Sequence, residues 1–268
     1  MRSLLAKIPE PDGRADIWCG AALPPRYSLL SSAPGEAWFV DGGNAGIIDA
    51  PHFTLQKLRA VAVHYPTKQV IKRECIVLLT TAGKEWTIHR EDGTSEVLRT
   101  DEFMEAVTLA RQQLEHAVAR EALAACSGAV VLDGDVAPES CYALQKSITV
   151  LTSNGFPLSS VLTATGPWAA PLGTVLAVKL DNRARHVFLL HGADNVNHEL
   201  LPILVYYSRD LLFPGYPGGL ILADKLARVS NDEAEALKIT ARSLQRDLRG
   251  RIDRAQASTD SHTILDSM

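Results

Sequence analysis

The sequence predicts an α/β fold in which helices flank a mixed β-sheet. Two patterns indicate this fold. Short apolar or alternating runs typical of strands fill the first part of the core, and helical and strand patterns alternate from about residue 100 onward. Strands followed by alternating helices and strands favour a mixed sheet. With 268 residues, 46% of them hydrophobic, the chain is long enough to form one large domain.

The first part of the core is predicted to be β-structure. Its first strand is expected to end in a turn at Asp41, because an Asp-Gly step after an apolar run is typical of chain reversals. Two alternating runs flank Asp92-Gly93, which is the pattern of a β-hairpin. The predicted strands of this part cover residues 37–40, 55–64, 74–81, 86–90 and 95–99.

The second part begins with a long predicted helix. Asp101 is a suitable N-cap, apolar residues follow at helical spacing to about residue 125, and Gly128 ends the pattern. Further strands are predicted over residues 130–133, 147–151, 175–180 and 187–190. Two more helices are predicted over residues 220–228 and from Asn231 to about residue 254.

The ends of the chain are predicted to differ from its core. Residues 1–36 are rich in Pro, Gly and Ser and read as an N-terminal arm, residues 37–254 as the folded domain, and the polar residues 255–268 as a flexible tail. No apolar run reaches the ~18 residues needed to span a bilayer, so no membrane association is expected. The first residues lack the apolar stretch of a secretory signal, and we expect a cytoplasmic protein.

Composition excludes several kinds of site. The four cysteines are scattered without a C-x-x-C pair, so neither a zinc site nor a disulfide framework is indicated. The sequence contains no G-x-S-x-G nucleophile elbow and no Walker P-loop. A net charge of −4 argues against uniform positive charge for holding nucleic acid, although a local basic groove remains compatible with it.

Two similar stretches suggest a metal site. Residues 38–43 and residues 130–135 are each an apolar run that ends in an aspartate, Asp41 or Asp133, followed at once by glycine. Two carboxylates at the ends of neighbouring buried strands repel each other unless a cation lies between them. The alternative is that both are ordinary strand-to-turn steps.

Three further carboxylates lie in predicted helices. Helical geometry places Glu121 within the apolar stripe of the long helix, and Glu115 at the edge of that stripe beside Arg111. Asp224 is a single acidic residue in an otherwise apolar stretch at the start of a late helix. Each has an ordinary alternative, either a solvated glutamate or an acidic residue favoured near a helix N-terminus.

The order of these carboxylates resembles that of the ribonuclease H-like nucleases, and more specifically of the NurA nuclease family. One follows the first core strand, one lies on a helix, one follows a later strand and one lies on a late helix. The resemblance spans roughly residues 37–237. It is seen in Phe39-Val40-Asp41-Gly42-Gly43, residues 58–63, residues 111–115, Val131-Leu132-Asp133-Gly134, Gly215-Tyr216-Pro217 and residues 222–228. It implies a ribonuclease H-like mixed sheet flanked by helices, with an N-terminal arm and a C-terminal helix.

The resemblance also implies a site and a chemistry. Asp41, Glu115, Asp133 and Asp224 would be the catalytic residues and metal ligands, with Glu121 in place of Glu115 if the helix register differs. They would hold two divalent ions, Mn²⁺ or Mg²⁺, which suit hard oxygen ligands. Two such ions activate a water and stabilise the leaving oxygen in phosphodiester hydrolysis.

The implied activity is that of a metal-dependent DNA nuclease. It would be an exonuclease with single-strand endonuclease activity, acting on single-stranded DNA or duplex ends in DNA-end resection, repair or defence. The implied partners are a hexameric HerA-type ATPase and a second copy of the chain in a homodimer, with residues 1–37 and 229–268 as the contacting regions. The alternative from another class is a non-catalytic ribonuclease H-like subunit that binds DNA or a partner. An actin-like kinase is disfavoured, because only Gly42-Gly43 is suited to a phosphate-binding turn.

Overall fold

The computed structural model describes most of the chain between residues 28 and 243. The described residues are 28–82, 85–100, 102–125, 128–146, 166–172, 174–184, 186–192 and 199–243. The chain divides into two compact units, which are described separately. Unit 1 comprises Met1–Phe39, Val63–Gln69 and Leu123–Leu222, and unit 2 comprises Val40–Ala62, Val70–Ala122 and Ala223–Met268.

The described residues form eleven strands and four helices. The strands are β1 (Ser28–Leu29), β2 (Ala37–Ala50), β3 (Phe53–Tyr65), β4 (Val70–Ala82), β5 (Glu85–Arg90), β6 (Ser95–Leu98), β7 (Ala129–Asp133), β8 (Tyr142–Gln145), β9 (Trp168–Leu172), β10 (Val175–Lys179) and β11 (Phe188–His191). The helices are α1 (Phe103–Ala125), α2 (Leu200–Tyr207), α3 (Gly218–Ala227) and α4 (Asn231–Ser243).

Unit 1 is built on strands in the order β1-β9-β10-β11-β8-β7, next to the first residues of β2. Strands β7 and β8 pair in parallel, and the remaining described pairs of this unit are antiparallel. The core packs aliphatic side chains of these strands and of helix α2 around Phe39. Glycine is required at position 219, because a β-carbon there would overlap the Phe39 ring. The start of helix α3 is therefore held close to strand β2.

Unit 2 contains the strand order β2-β3-β4-β5-β6 and helix α1. One face of α1 packs against β-strand residues in a core that includes Leu58, Leu79, Trp86 and Ile88. The predicted hairpin is confirmed: β5 and β6 are antiparallel, and Gly93 between them has a φ of +83°. Burial of the α1 stripe against the sheet fixes which face of the helix, and therefore which glutamate, points to the strands.

The predicted α/β fold with a mixed sheet is confirmed, and the expected turn at Asp41 is wrong. Strand β2 continues for 14 residues through Gly42 and Gly43. These glycines allow close approach of other elements, and neither has a positive φ. At the second aspartate the prediction is confirmed, since β7 ends at Asp133 and Gly134 has a φ of +135°.

Four elements were not predicted, namely β1, β8, β9 and α2, and some predictions lie outside the described residues. Strands β8 and β9 are short, and Pro171 interrupts the β9 pattern. Helix α2 is an apolar run with a proline and so lacks helical periodicity. The strand predicted over 147–151, the continuation of α4 beyond residue 243, most of the arm and the tail lie outside the described residues. None of the described helices is both long enough and apolar enough to cross a bilayer.

Candidate functional site

The candidate site of unit 2 is centred on two buried carboxylates, Asp41 and Glu115. Asp41 is 5% exposed and Glu115 is 3% exposed. The Glu115 side chain packs against strand β2 at the residue after Asp41, since a β-carbon at Gly42 would lie 2.7 Å from its Cγ atom. Asp41 Oδ1 accepts the N–H of Gly42 at 2.7 Å. Absence of a side chain at Gly42 thus allows the carboxylate of α1 to reach the strand that carries Asp41.

Arg111 connects the helix to the strand at this point. Its Nη1 donates to Glu115 Oε1 at 2.7 Å and to the carbonyl oxygen of Gly42 at 3.0 Å. Arg111 and Glu115 are one helical turn apart, the spacing at which side chains on a helix meet. The guanidinium therefore orients the buried carboxylate and balances part of the negative charge of the site.

Asp224 lies on helix α3, whose C-terminal end contacts the neighbouring glycine of β2. A β-carbon at Gly43 would overlap the carbonyl oxygen of Ala227 and lie 3.0 Å from its carbonyl carbon. Asp224 is one helical turn before this contact, its side chain is 41% exposed, and it accepts a hydrogen bond from Arg228 at 3.0 Å. The structure thus brings the end of α3 against β2, with Asp224 at the exposed side.

The position of α3 depends on Arg59, a residue that was not predicted from the sequence to have a role in the site. Arg59 on β3 donates to the carbonyl oxygen of Arg228, to both carboxylate oxygens of Glu233 at 2.7 and 2.9 Å, and to Glu74 at 2.7 Å. Burial alone lowers the pKa of Arg59, but the hydrogen bonds to Glu233 and Glu74 outweigh it and raise the pKa. A single buried guanidinium therefore joins β3 and β4 to the ends of two helices.

Glu74 is strongly stabilised in its charged form. Hydrogen bonds from Lys57 and Lys72 lower its pKa from 4.5 to about 2, against the opposing effect of burial and with a further contribution from Arg59. The Lys57 ion pair measures 2.9 Å. Glu74 remains charged at all ordinary pH values and so keeps Arg59 oriented.

Glu121, the alternative helix ligand, lies in an exposed ion pair. Both of its carboxylate oxygens accept hydrogen bonds from Arg73 at 3.0 Å, and its side chain is 41% exposed. The expectation that Glu121 lies within the apolar stripe is wrong, because the burial of α1 falls on Glu115 instead. Of the two glutamates, Glu115 is the one that packs against strand β2, at Gly42.

In unit 1, Asp133 ends strand β7 and pairs with Lys146. The Asp133 side chain is 9% exposed, and the ammonium group of Lys146 donates to its Oδ2. Lys146 follows β8, which runs parallel to β7 with Leu144 opposite Asp133. Lys146 was not predicted as a site residue, because β8 is short and was not predicted. A prediction of this parallel strand would have placed Lys146, just after the strand end, next to Asp133.

The donor chemistry of these residues fits a divalent cation. Across the part of the chain that the structure describes, no three His, Cys, Asp or Glu side chains form a ready metal-binding group. Asp41 and Glu115 nevertheless supply hard carboxylate oxygens in a buried setting, which is the ligand type preferred by Mg²⁺ and Mn²⁺. Glu115, Asp133 and Asp224 are each already paired with a basic side chain. Binding of a metal ion would exchange these ion pairs for coordination.

Comparison with known proteins identifies the fold. No protein-family model matches the chain, and neither does any curated protein. A crystal structure of NurA is similar over 83% of this chain and 92% of that chain, with 10% identity and a TM-score of 0.59. A NurA structure with manganese is similar over 82% and 92%, with 9% identity and a TM-score of 0.50. An endonuclease V from Ciona intestinalis in complex with DNA has 13% identity over 75% and 90%, with a TM-score of 0.41. The protein has the fold of NurA, and the resemblance predicted from the sequence is confirmed at the level of the fold.

Proposed function

We propose that this protein is a divalent-metal-dependent DNA nuclease that hydrolyses phosphodiester bonds. The observation that most supports it is that two buried carboxylates, Asp41 on β2 and Glu115 packed on β2 at Gly42, occur in a chain with the NurA fold. A NurA of similar fold has been crystallised with manganese. The proposed activity is exonucleolytic, with single-strand endonuclease activity, on single-stranded DNA or duplex ends.

The proposed metal ligands are the four carboxylates predicted from the sequence. Asp41, Glu115 and Asp224 belong to unit 2, and Asp133 belongs to unit 1. Two Mn²⁺ or Mg²⁺ ions would supply an activated water and neutralise the charge that develops during phosphodiester hydrolysis. The support for Asp133 and Asp224 is their place in the motif order, together with carboxylate chemistry that suits these ions.

Side chains of this protein orient the proposed ligands. Arg111 holds the Glu115 carboxylate against β2 through one bond to the carboxylate and one to the backbone. Arg59 fixes the end of the helix that bears Asp224. Lys146 donates a hydrogen bond to the Asp133 carboxylate and so keeps that side chain in place. Such orientation reduces the cost of arranging ligands when metal and substrate bind.

The test compares two variants with a matched control. Asp41→Asn and Glu115→Gln should lower Mn²⁺-dependent cleavage of labelled DNA by at least about 100-fold, because each loses a proposed metal ligand. Glu121→Gln on the same helix should keep the wild-type rate, because Glu121 pairs with Arg73 at the surface. Chelator should abolish cleavage by the wild type. Full cleavage by both D41N and E115Q would contradict the proposal.

One observation favours the alternative of a non-catalytic subunit that binds DNA or a partner. Glu115, Asp133 and Asp224 all have basic partners, which balance the charges of these carboxylates without a metal ion. The same assay separates the two functions. Absence of chelator-sensitive products, with or without an added ATPase, supports the non-catalytic function.

The proposal extends to partners and cellular role by resemblance to the NurA family. We propose that a hexameric HerA-type ATPase brings DNA to the protein, that the protein is a cytoplasmic homodimer, and that it acts in DNA-end resection, repair or defence. Residues 1–37 and 229–268 are the proposed contact regions. Light scattering and co-purification with the ATPase test this, and unchanged association after deletion of residues 1–36 and of residues 255–268 would contradict the assigned regions.

A further inference from the structure

We infer that a cavity of unit 1 binds one nucleotide of single-stranded DNA, with its base against an aromatic wall and its phosphate against basic side chains. The cavity has a volume of about 440 Å³. Three of its lining residues are basic or imidazole-bearing and three are aromatic: Lys146, Arg183, His186, Phe188, Phe213 and Tyr216. The inference rests on the proposed nuclease function, because Lys146 also contacts Asp133 and so links the cavity to a proposed metal ligand.

The aromatic side of the cavity is suited to a base. The rings of Phe188 and Tyr216 lie 5.8 Å apart at 33° to each other, and Phe188 is buried. Phe213 is 56% exposed, so its ring is accessible at the mouth of the cavity. Stacking of a base on an aromatic side chain is favourable for every base and does not require a particular sequence. Bases of a duplex are already stacked on each other, which is why the preferred occupant is a single strand.

The loop that carries Phe213 is preorganised. Asp210 Oδ1 accepts the N–H groups of Leu212 at 2.7 Å and of Phe213 at 2.9 Å. Gly215 has a φ of +89°, and a β-carbon there would overlap the methyl group of Ala184. The loop that bears Phe213 therefore packs closely on the segment that bears Arg183. Two walls fixed to one another form a site without prior ordering, which lowers the entropic cost of binding.

The basic side of the cavity is suited to a phosphate. Arg183 donates through Nε at 3.0 Å and Nη2 at 2.9 Å to Asp181, which leaves Nη1 outside this ion pair. Its side chain is 45% exposed. The ammonium group of Lys146 lies 5.3 Å from the centre of the Tyr216 ring. A guanidinium held in plane by one carboxylate presents its remaining donors in a fixed direction, as phosphate recognition requires.

Binding without metal tests this site separately from cleavage. Anisotropy of a fluorescent single-stranded oligonucleotide is measured in chelator for the wild type, Phe213→Ala and Arg183→Gln. Both variants should bind at least about fivefold more weakly. The matched controls are Ile239→Ala, an apolar residue 63% exposed on α4, and Arg73→Gln, another arginine in an exposed ion pair. Both controls should bind as the wild type does, and thermal unfolding confirms that each variant is folded.

A second readout reports on stacking directly. An oligonucleotide that contains 2-aminopurine should lose fluorescence when it binds the wild type and should lose less when it binds F213A. In the anisotropy assay, R183K should retain more affinity than R183Q. Equal affinities of F213A, R183Q and the two controls, or no binding of single strands by the wild type in chelator, would overturn the inference. Failure of the proposed nuclease function is a different result, namely no Mn²⁺-dependent cleavage by a wild type that still binds the oligonucleotide.

Discussion

Gly42→Ala is the substitution that most directly tests the arrangement of the candidate site. A β-carbon at this position would overlap Glu115 Oε1 and lie 2.7 Å from Cγ and 2.8 Å from Cδ, whereas ordinary contacts are 3.4–4 Å. The Glu115 side chain must therefore retreat by about 0.7 Å or more. The 2.7 Å hydrogen bond that Arg111 donates to Glu115 Oε1 opposes this movement.

The expected cost follows from three contributions. Overpacking of a buried site costs about 1–3 kcal/mol, and weakening a charge-assisted hydrogen bond costs about 1.5–3 kcal/mol. Replacement of glycine by alanine within a strand returns about 0.5–1 kcal/mol of conformational free energy. The net expectation for Gly42→Ala is a loss of about 2–5 kcal/mol in the free energy of unfolding. Mn²⁺-dependent cleavage should fall even under conditions in which the variant is fully folded, since Glu115 is a proposed ligand.

Two glycines of the same strand provide controls. A β-carbon at Gly46 would lie 2.6 Å from Oδ2 of Asp49, an exposed residue whose Oδ1 accepts hydrogen bonds from Thr54 and Gln56, so Gly46→Ala should cost some stability but less than Gly42→Ala, and should leave cleavage unchanged. At Gly43 a β-carbon would meet the backbone of Ala227. Gly43→Ala should therefore displace α3 and leave the Glu115 carboxylate of α1 in place. Urea unfolding and the cleavage assay are measured on all three variants. If G42A is as stable and as active as G46A, the close packing at Gly42 is unimportant and the reasoning is refuted.

Three further substitutions test the supporting contacts. Arg59→Met should destabilise the protein by about 3 kcal/mol, because it leaves Glu233 and Glu74 without their shared cation, and an unchanged urea midpoint would contradict this. The pKa of Glu74, lowered from 4.5 to about 2, implies that its ion pairs stabilise the fold above about pH 4.5 and are lost as the pH falls towards 2. Glu74→Gln should therefore flatten the decline of unfolding free energy between about pH 5 and pH 3, and an unaltered slope would count against it. Gly215→Ala should cost about 1–3 kcal/mol, because its φ is +89° and its β-carbon would overlap Ala184; thermal unfolding measures this, and a wild-type melting temperature would disprove it.

Much of the fold was predictable, because its strands and long helix have clear periodicity. The turn at Asp133 was also predictable, since Gly134 uses the positive φ that glycine permits. The turn expected at Asp41 failed for a tertiary reason. Local preference for a reversal at Asp-Gly is outweighed by the packing of Glu115 and the end of α3 on the bare backbone of the strand.

The candidate site was less predictable because its contacts join distant parts of the chain. Helical spacing alone places Glu115 and Glu121 near the apolar face of one helix, and only the approach of the helix to Gly42 distinguishes them. Arg59 reads as one charged residue within an apolar strand, and nothing near it in the sequence indicates its partners. Lys146 has the same limitation, since its role depends on a strand too short to be predicted.

The contacts of Arg59 have a consequence for biosynthesis. Its two glutamate partners, Glu74 and Glu233, are 15 and 174 residues away along the polypeptide. Closing the longer loop costs about 2 kcal/mol more entropy, so the nearer partner associates first. During translation, Arg59 and Glu74 leave the ribosome long before the last helices are synthesised. The nascent protein can therefore assemble its sheet while the segment bearing Asp224 is still incomplete. Any premature stop before residue 228 yields a chain that lacks the contacts of Arg59 with Arg228 and Glu233.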